Sequence, residues 1–168
     1  MKTMALLLVL AAAAWAQESS GQAPAFSEFR VPKYKSKPVP AKILTASDRQ
    51  FRTKIRDGAK KGPNFAGHFT IITWGCGSGC LSFVVVDAAT GKVSWKTPFR
   101  IIGIPYKGTQ SGRQYDGIGY KADSGLLVAD GCPEDSNDQC GTHYYEWRDR
   151  SFHLLSFKPD PPSEKIPD

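Results

Sequence analysis

The sequence has little that would hold it in a membrane. Its one long apolar run, from Met4 to Ala14, is shorter than the roughly 20 residues that a transmembrane helix needs. The run follows Lys2 and ends at the small-residue motif AWA, which is typical of a signal-peptidase site. We therefore interpret residues 1–16 as a secretory signal peptide and expect a secreted or periplasmic protein. No cysteine follows the expected cut directly, so a lipid anchor has no attachment point.

The sequence also lacks internal repeats and complete catalytic motifs. No period of about 40 to 50 residues recurs, which excludes a propeller of repeated blades. Ser78 is not the nucleophile of a G-x-S-x-G motif, because Cys76 stands at the first glycine position. The surrounding glycines precede a strand pattern, whereas a phosphate-binding loop precedes a helix. We predict no catalytic residues, no metal and no cofactor. Enzymatic activity stays an open question, with a non-enzyme favoured.

Removal of the expected signal peptide leaves 152 of the 168 residues, which is the length of one domain. Residues 17–41 contain four prolines and few large apolar side chains, which predicts a flexible arm. Its apolar residues, Phe26, Phe29, Val31 and Tyr34, are sufficient for it to lie along the domain. We expect a single β-rich domain over 42–158 and a disordered tail over 159–168.

One segment has a helical pattern. Ser47 and Gln50 have the form of a capping box, which predicts a helix beginning at Ser47. A Gly-Pro pair at 62–63 predicts its end. Between them an apolar stripe with a spacing of four is formed by Phe51, Ile55 and Ala59. We expect this helix to pack on the domain through Phe51 and Ile55.

From Phe65 onward, short runs rich in β-branched and aromatic residues alternate with turn signals. They predict about eight antiparallel strands near 66–74, 81–87, 92–96, 99–105, 114–121, 125–129, 142–148 and 151–157. The clearest hairpins are FVVVDAATGKVSW, in which Gly91 supplies a positive φ, and HYYEWRDRSFHLL, which turns over 148–151. The predicted fold class is mainly β (α+β): a curved sheet, sandwich or small barrel with one N-terminal helix.

The basic residues are concentrated in one region. Residues 30–61 hold eleven basic and two acidic side chains, which gives +9 against +6 for the whole chain. On the helix, one face carries Arg49, Arg52, Arg56 and Lys60. Such an arm and helix predict adhesion to anionic envelope polymers or lipid head groups, weakened by salt. The alternative is a solvated helix face with Asp57 paired to Lys61. Nucleic acid is not expected, because the protein is exported and no base-stacking motif accompanies the charge.

Four cysteines in an exported chain most simply form two disulfides, which allow three pairings. Chain entropy favours a crossed pairing, whereas the local rings form faster and need no particular fold. We favour Cys76 with Cys80 and Cys132 with Cys140.

The cysteine loop is also a candidate for metal binding or catalysis. Cys76 and Cys80 have the spacing of some copper proteins, and with His68 they would offer two thiolates and an imidazole to Cu(I). One of these cysteines would alternatively be a nucleophile with His68 as its base. A zinc site from all four cysteines is a third reading. We also considered whether aromatic side chains line a carbohydrate or peptide groove: Trp74, Trp95, Tyr144, Tyr145 and Trp147.

Several of these motifs occur together. The stretches GPNFAGHFTIITWGCGSGC, VVVDAATGKV and SGLLVADGCPEDSNDQCGTHYYEWRDRSFHLL resemble a family of exported bacterial proteins of unassigned function. The resemblance covers about residues 64–157. It implies that both cysteine pairs belong to the design of the fold, and it implies no catalytic residues.

Overall fold

The computed structural model describes residues 22–104 and 117–161. The expected signal peptide at 1–16 and most of the expected tail at 159–168 lie outside these ranges. Eight antiparallel strands form one curved sheet in the order β1-β2-β4-β6-β7-β8, with β3 paired to β2 and β5 paired to β6. The strands are β1 (Phe69–Gly77), β2 (Cys80–Asp87), β3 (Val93–Ser94), β4 (Ile102–Gly103), β5 (Gly117–Tyr120), β6 (Leu126–Pro133), β7 (Gly141–Arg148) and β8 (Ser151–Pro159). The mainly β prediction is confirmed in its curved-sheet form, because β1 and β8 remain unpaired edges of the sheet.

Both predicted hairpins are present. Between β2 and β3, Gly91 has φ +74° and its N–H donates to the Asp87 carbonyl at 2.7 Å. Between β7 and β8, the two-residue turn is Asp149-Arg150, with φ values of +53° and +59°. Two consecutive positive φ values are those of a type I′ turn, which matches the twist of the paired strands.

The helical segment differs from the prediction in two ways. It consists of two short helices, α1 (Ala46–Gln50) and α2 (Arg52–Lys60), separated at Phe51. The N-cap is Thr45, not Ser47: the Thr45 hydroxyl accepts from the Asp48 amide, and the Asp48 carboxylate accepts from the Thr45 amide. Because this reciprocal pair satisfies the first amides, the helix begins at Ala46, one residue before the predicted start at Ser47.

The helices cover the outer face of the sheet. In α2, Ile55 and Ala59 are buried against Ile72, Val84 and Val86 of β1 and β2. The ring of Phe51 stacks on Trp74 with centroids 4.8 Å apart. The predicted packing through Phe51 and Ile55 is confirmed, and it fixes the exposed basic face of α2 outward.

A second, larger cluster fills the inside of the curve. It combines buried side chains of β1 and β2 with those of β6 and β7. Phe65, fully buried just before β1, stacks on Phe152 of β8 at 5.9 Å and meets Trp147 of β7 edge-on at 6.0 Å. The two ends of the strand order are therefore held together by aromatic packing, without hydrogen bonds between them.

The segment predicted as a flexible arm lies along the domain over its described residues, 22–41. Backbone N–H groups of the arm donate to carbonyls of the domain: Val31 to Asp123 at 3.0 Å, Tyr34 to Gly67 at 3.2 Å and Val39 to Ala88 at 2.8 Å. Gly67 has φ +80°, and a Cβ there would lie 2.6 Å from the Pro32 carbonyl. Glycine at 67 therefore lets the arm approach.

Candidate functional site

The N-F-A-G-H stretch places His68 at the start of β1. The Asn64 side chain imitates a strand partner, since its Nδ2 donates to the Ile71 carbonyl at 2.9 Å and its Oδ1 accepts from the Ile71 amide at 2.8 Å. Phe65 enters the inner cluster, and the backbone then turns through positive φ at Ala66 and Gly67. Most of this motif is therefore structural, and His68 is its one partly exposed polar ring.

All four cysteines are disulfide-bonded, in the two local pairs that the sequence favours. Cys76–Cys80 closes the exposed tip of the β1–β2 hairpin, and Cys132–Cys140 closes the loop between β6 and β7. Cys80 and Cys132 face Gly103 of β4 from opposite sides. Both disulfides thus brace the same end of the sheet, which we call the braced end.

The structure does not bring His68 together with Cys76 and Cys80. His68 precedes β1 and Cys76 is near its far end, so the two are eight positions apart along an extended strand, about 26 Å at ~3.3 Å per residue. Among the described residues, no cluster of three His, Cys, Asp or Glu side chains is arranged to hold a metal ion. With both sulfurs oxidised, a thiolate site with His68 is not formed.

His68 instead lies beside Asp87, the last residue of β2, at the opposite end of the sheet. There the turn after β7 meets the β2–β3 hairpin, and we call this end the sheet mouth. Asp87 is 4% exposed, and its Oδ1 accepts from the Ala89 amide at 2.9 Å. His68 Nε2 lies 3.7 Å from Asp87 Oδ1, and Arg150 Nη2 lies 3.4 Å from Asp87 Oδ2. The buried carboxylate thus connects both hairpins.

The second oxygen of this carboxylate is not hydrogen-bonded. Asp87 Oδ2 is buried, and among the described residues it accepts no hydrogen bond; the Arg150 guanidinium approaches it without hydrogen-bond geometry. An unsatisfied buried acceptor costs about 1–3 kcal/mol, and more when it is charged. The hairpin turn itself uses only Oδ1, through the Ala89 amide.

A pocket of about 360 Å³ opens beside Asp87 at the sheet mouth. Three aromatic rings and three cations contribute to its lining: Phe69, Trp95, Trp147, Lys92, Lys96 and Arg150. The remaining lining residues are Val85, Asp87, Val93, Ser94 and Asp149. Trp95 and Trp147, which the sequence suggests as residues of a binding groove, therefore line one pocket.

The residue that covers Asp87 sits in a strained turn. Arg150 occupies the second position of the type I′ turn, where glycine is preferred because of the positive φ. The left-handed conformation costs a non-glycine residue about 1–2 kcal/mol. Such strain, when combined with a charge contact to a buried group, is a feature of functional sites.

Asp48 links the helices to the pocket. Its Oδ1 accepts from the Trp95 indole Nε1 at 2.8 Å, while its Oδ2 accepts from the Leu44 and Thr45 amides at 2.9 and 2.8 Å. Burial acts to raise the pKa of this carboxyl, but the four hydrogen bonds from Thr45, Trp95 and Leu44 outweigh it and hold the pKa below its usual value. Asp48 is therefore ionised at neutral pH and fixes one aromatic wall of the pocket.

The predicted basic surface is exposed. All eleven basic residues of 30–61 are exposed, and among the described residues only two of them pair with a carboxylate: Lys33 with Asp123 and Lys60 with Asp57. The partner of Asp57 is thus Lys60, at i+3, and not Lys61 as expected. Arg49 donates to the Leu44 carbonyl, and for Arg52 and Arg56 no carboxylate lies within ion-pair distance in the described part of the chain.

A groove of about 460 Å³ runs between the arm and α2. Its floor is apolar, formed by Pro38, Val39, Pro40, Ala41 and Ala59. Lys37 lies on the arm side, and Arg56 and Lys60, one turn apart, lie on the helix side. The basic surface therefore includes a concave part in which three cations surround apolar side chains.

Comparisons with protein-family models, with curated proteins and with solved structures gave no significant match. None of the helices within 22–104 and 117–161 has the length and hydropathy of a membrane-spanning segment.

Proposed function

We propose that this protein is an exported binding module whose basic arm and helix contact anionic polymers of the cell envelope. The observation that supports this proposal is the basic surface. It has eleven exposed cations, and among the described residues only two of them pair with a carboxylate. Two disulfides support export, because such bonds persist in oxidising compartments. Membership of the exported bacterial family that the sequence resembles is part of the same proposal.

The arrangement of the cations favours a polymer with repeated anionic groups. Lys37, Arg56 and Lys60 surround the groove, and Arg52 continues the same helix face. Cations on a common face attract a polyanion by long-range electrostatics and need no fixed hydrogen-bond geometry. The apolar floor of the groove suits the uncharged part of such a chain. The expected binding is weak per contact, additive along the polymer and sensitive to salt.

Retention of the purified protein on immobilised heparin, used as a polyanion, tests the proposal. We expect retention at low ionic strength and elution well below 1 M salt, since charge contacts at an exposed surface are screened. The triple variant Arg52→Gln, Arg56→Gln, Lys60→Gln removes three cations of the helix face, and we expect it to elute at clearly lower salt than the wild type.

A matched variant separates the surface from the overall charge. Arg100, Arg148 and Lys158 are exposed cations outside the basic surface, and their replacement by Gln removes the same three charges. We expect this variant to elute close to the wild type. Equal losses in the two triple variants would show that net charge, and not the arm and helix, retains the protein, and the proposal would then be wrong.

A further inference from the structure

The pocket at the sheet mouth has two sets of polar groups that the described residues leave with unused hydrogen-bonding or charge-pairing capacity. One is Asp87 Oδ2, the buried acceptor without a hydrogen bond in the described chain. The other is a set of cations: among the described residues Lys92 and Lys96 have no carboxylate partner, and Arg150 has only Asp87. A ligand that satisfies both sets must donate one hydrogen bond to a carboxylate and present negative charge to ammonium and guanidinium groups.

The rest of the lining defines the ligand further. Trp95 and Trp147 offer indole surfaces to the same pocket, and each is only partly buried. A bare phosphate or sulfate would leave these aromatic walls without a partner. An amine would face three cations against the two carboxylates of Asp87 and Asp149, which is unfavourable. A pyranose ring supplies both hydroxyl donors and an apolar C–H face for an aromatic ring.

From these contacts we infer that the sheet mouth binds an acidic saccharide, a sugar ring that carries a carboxylate. A ring hydroxyl donates to Asp87 Oδ2 as the Arg150 guanidinium turns towards the ligand. The sugar carboxylate accepts from Arg150, Lys92 or Lys96, and the ring packs on Trp95 or Trp147. The volume of about 360 Å³ falls within the range of small-ligand pockets, roughly 300–1,000 Å³, and suits one or two sugar rings.

The turn geometry supports this role for Arg150. A glycine at its position would relieve the positive φ of +59°, and the guanidinium is 60% exposed, so its contact with Asp87 gains little from burial. Arginine nevertheless occupies the turn beside the pocket. Its planar group has five donors, of which the structure uses few, and a carboxylate is the ligand that such a fork binds best.

Calorimetric titration of the full-length folded protein with trigalacturonic acid tests the inference. The neutral galactose trisaccharide of the same linkage is the matched ligand, since it differs only in its carboxylates. We expect the acidic trisaccharide to bind at least about tenfold more tightly, the effect of one charge-assisted hydrogen bond. Equal affinities, or no binding of either sugar at millimolar concentration, would overturn the inference.

Three variants locate the binding site. Arg150→Gln should weaken binding about tenfold, whereas Arg100→Gln, which removes another exposed, carboxylate-paired charge beside Glu134 at the braced end, should leave it unchanged. Asp87→Asn keeps the acceptor for the Ala89 amide and replaces the free acceptor by a donor, so it should also weaken binding. If Asp87→Asn does not fold, as judged by near-ultraviolet circular dichroism, the exposed Arg150 variant still decides.

The inference stands apart from the proposed function of the basic surface. The triple variant at Arg52, Arg56 and Lys60 should bind trigalacturonic acid as the wild type does. If that variant loses the sugar while Arg150→Gln retains it, the acidic sugar binds the basic surface. The sheet-mouth site would then be wrong, and the proposed function would stand.

Discussion

The two ends of the curved sheet are held together in different ways. At the braced end, two disulfides lie on the strands that flank β4, and Cys80 and Cys132 both face Gly103. At the sheet mouth, the strands are joined by aromatic packing around Phe65 and by the contact between Asp87 and Arg150. Besides the backbone pairing within each hairpin, covalent bonds therefore reinforce one end, whereas side-chain contacts join the hairpins at the other.

This difference separates structural from chemical use of polar groups. All sulfur atoms of the braced end are in disulfides. The hairpin tip that Cys76–Cys80 closes consists largely of glycine. The sheet mouth retains an unsatisfied carboxylate oxygen, three cations and two partly exposed indoles. This difference is the basis of our proposal that the mouth, and not the braced end, binds a ligand.

The largest effect is expected from opening the mouth. Phe65→Ala removes a fully buried ring that touches Phe152 and Trp147, and it should lower the free energy of unfolding by about 4 kcal/mol. The matched variant Phe157→Ala removes a ring that is 40% exposed on β8 and should cost about 1 kcal/mol. Urea unfolding followed by tryptophan fluorescence measures both. Similar losses would show that the aromatic packing at the mouth has no special role.

Removing the covalent braces should have the next largest effect. Replacing Cys132 and Cys140 by Ala opens a ring with a sequence separation of 8, and replacing Cys76 and Cys80 opens one with a separation of 4. The chain-entropy estimate gives losses of roughly 2.5 and roughly 2 kcal/mol, respectively. Both variants should bind trigalacturonic acid within about twofold of the wild type, provided that they are folded. Loss of binding in a folded variant would mean that the two ends are not independent.

A smaller, pH-dependent effect is expected at Asp48, which joins the helices to Trp95 at the mouth. Because its pKa is lowered by folding, its ionised form stabilises the protein above the unfolded pKa of about 3.9. This contribution is lost as the pH falls through the lower, folded pKa. Asp48→Asn should therefore cost about 2 kcal/mol at pH 7, and the difference from wild type should shrink below about pH 4.

Asp57→Asn is the control for this measurement, because within residues 22–104 and 117–161 the one ion-pair partner of Asp57 is Lys60, in an exposed pair. It should change stability by less than about 0.5 kcal/mol at pH 7. A difference between wild type and Asp48→Asn that stays constant from pH 7 to pH 2 would show that the ionised carboxylate is not the stabilising form.

Local patterns in the sequence predicted local structure well. Turn residues predicted both hairpins, since Gly91 and the Asp149-Arg150 pair act within a few residues of their own position. The predicted helix start is wrong because Thr45 and Ser47 both fit a capping motif; the structure uses Thr45, whose partner Asp48 is also held by distant Trp95. The hypothesis of a site that joins His68 to Cys76 conflicts with the predicted strand near 66–74, which already separates these two residues.

The sheet mouth was beyond the reach of local patterns. Asp87 and Arg150 are 63 positions apart, and their contact depends on how far the sheet curves. The sequence likewise indicates Trp95 and Trp147 as candidate groove residues, but local patterns do not show that they line one pocket. One signal was present: Arg150 occupies a position of the two-residue hairpin turn that favours glycine.

The most direct test of the division between the two ends is a residue-resolved NMR titration of the protein with trigalacturonic acid. The account predicts that the indole signals of Trp95 and Trp147 and the amide signals of Asp87 and Arg150 shift most. The amides of residues 76–80 and 132–140 should remain unchanged. Shifts confined to those cysteine loops, with none at the sheet mouth, would contradict it.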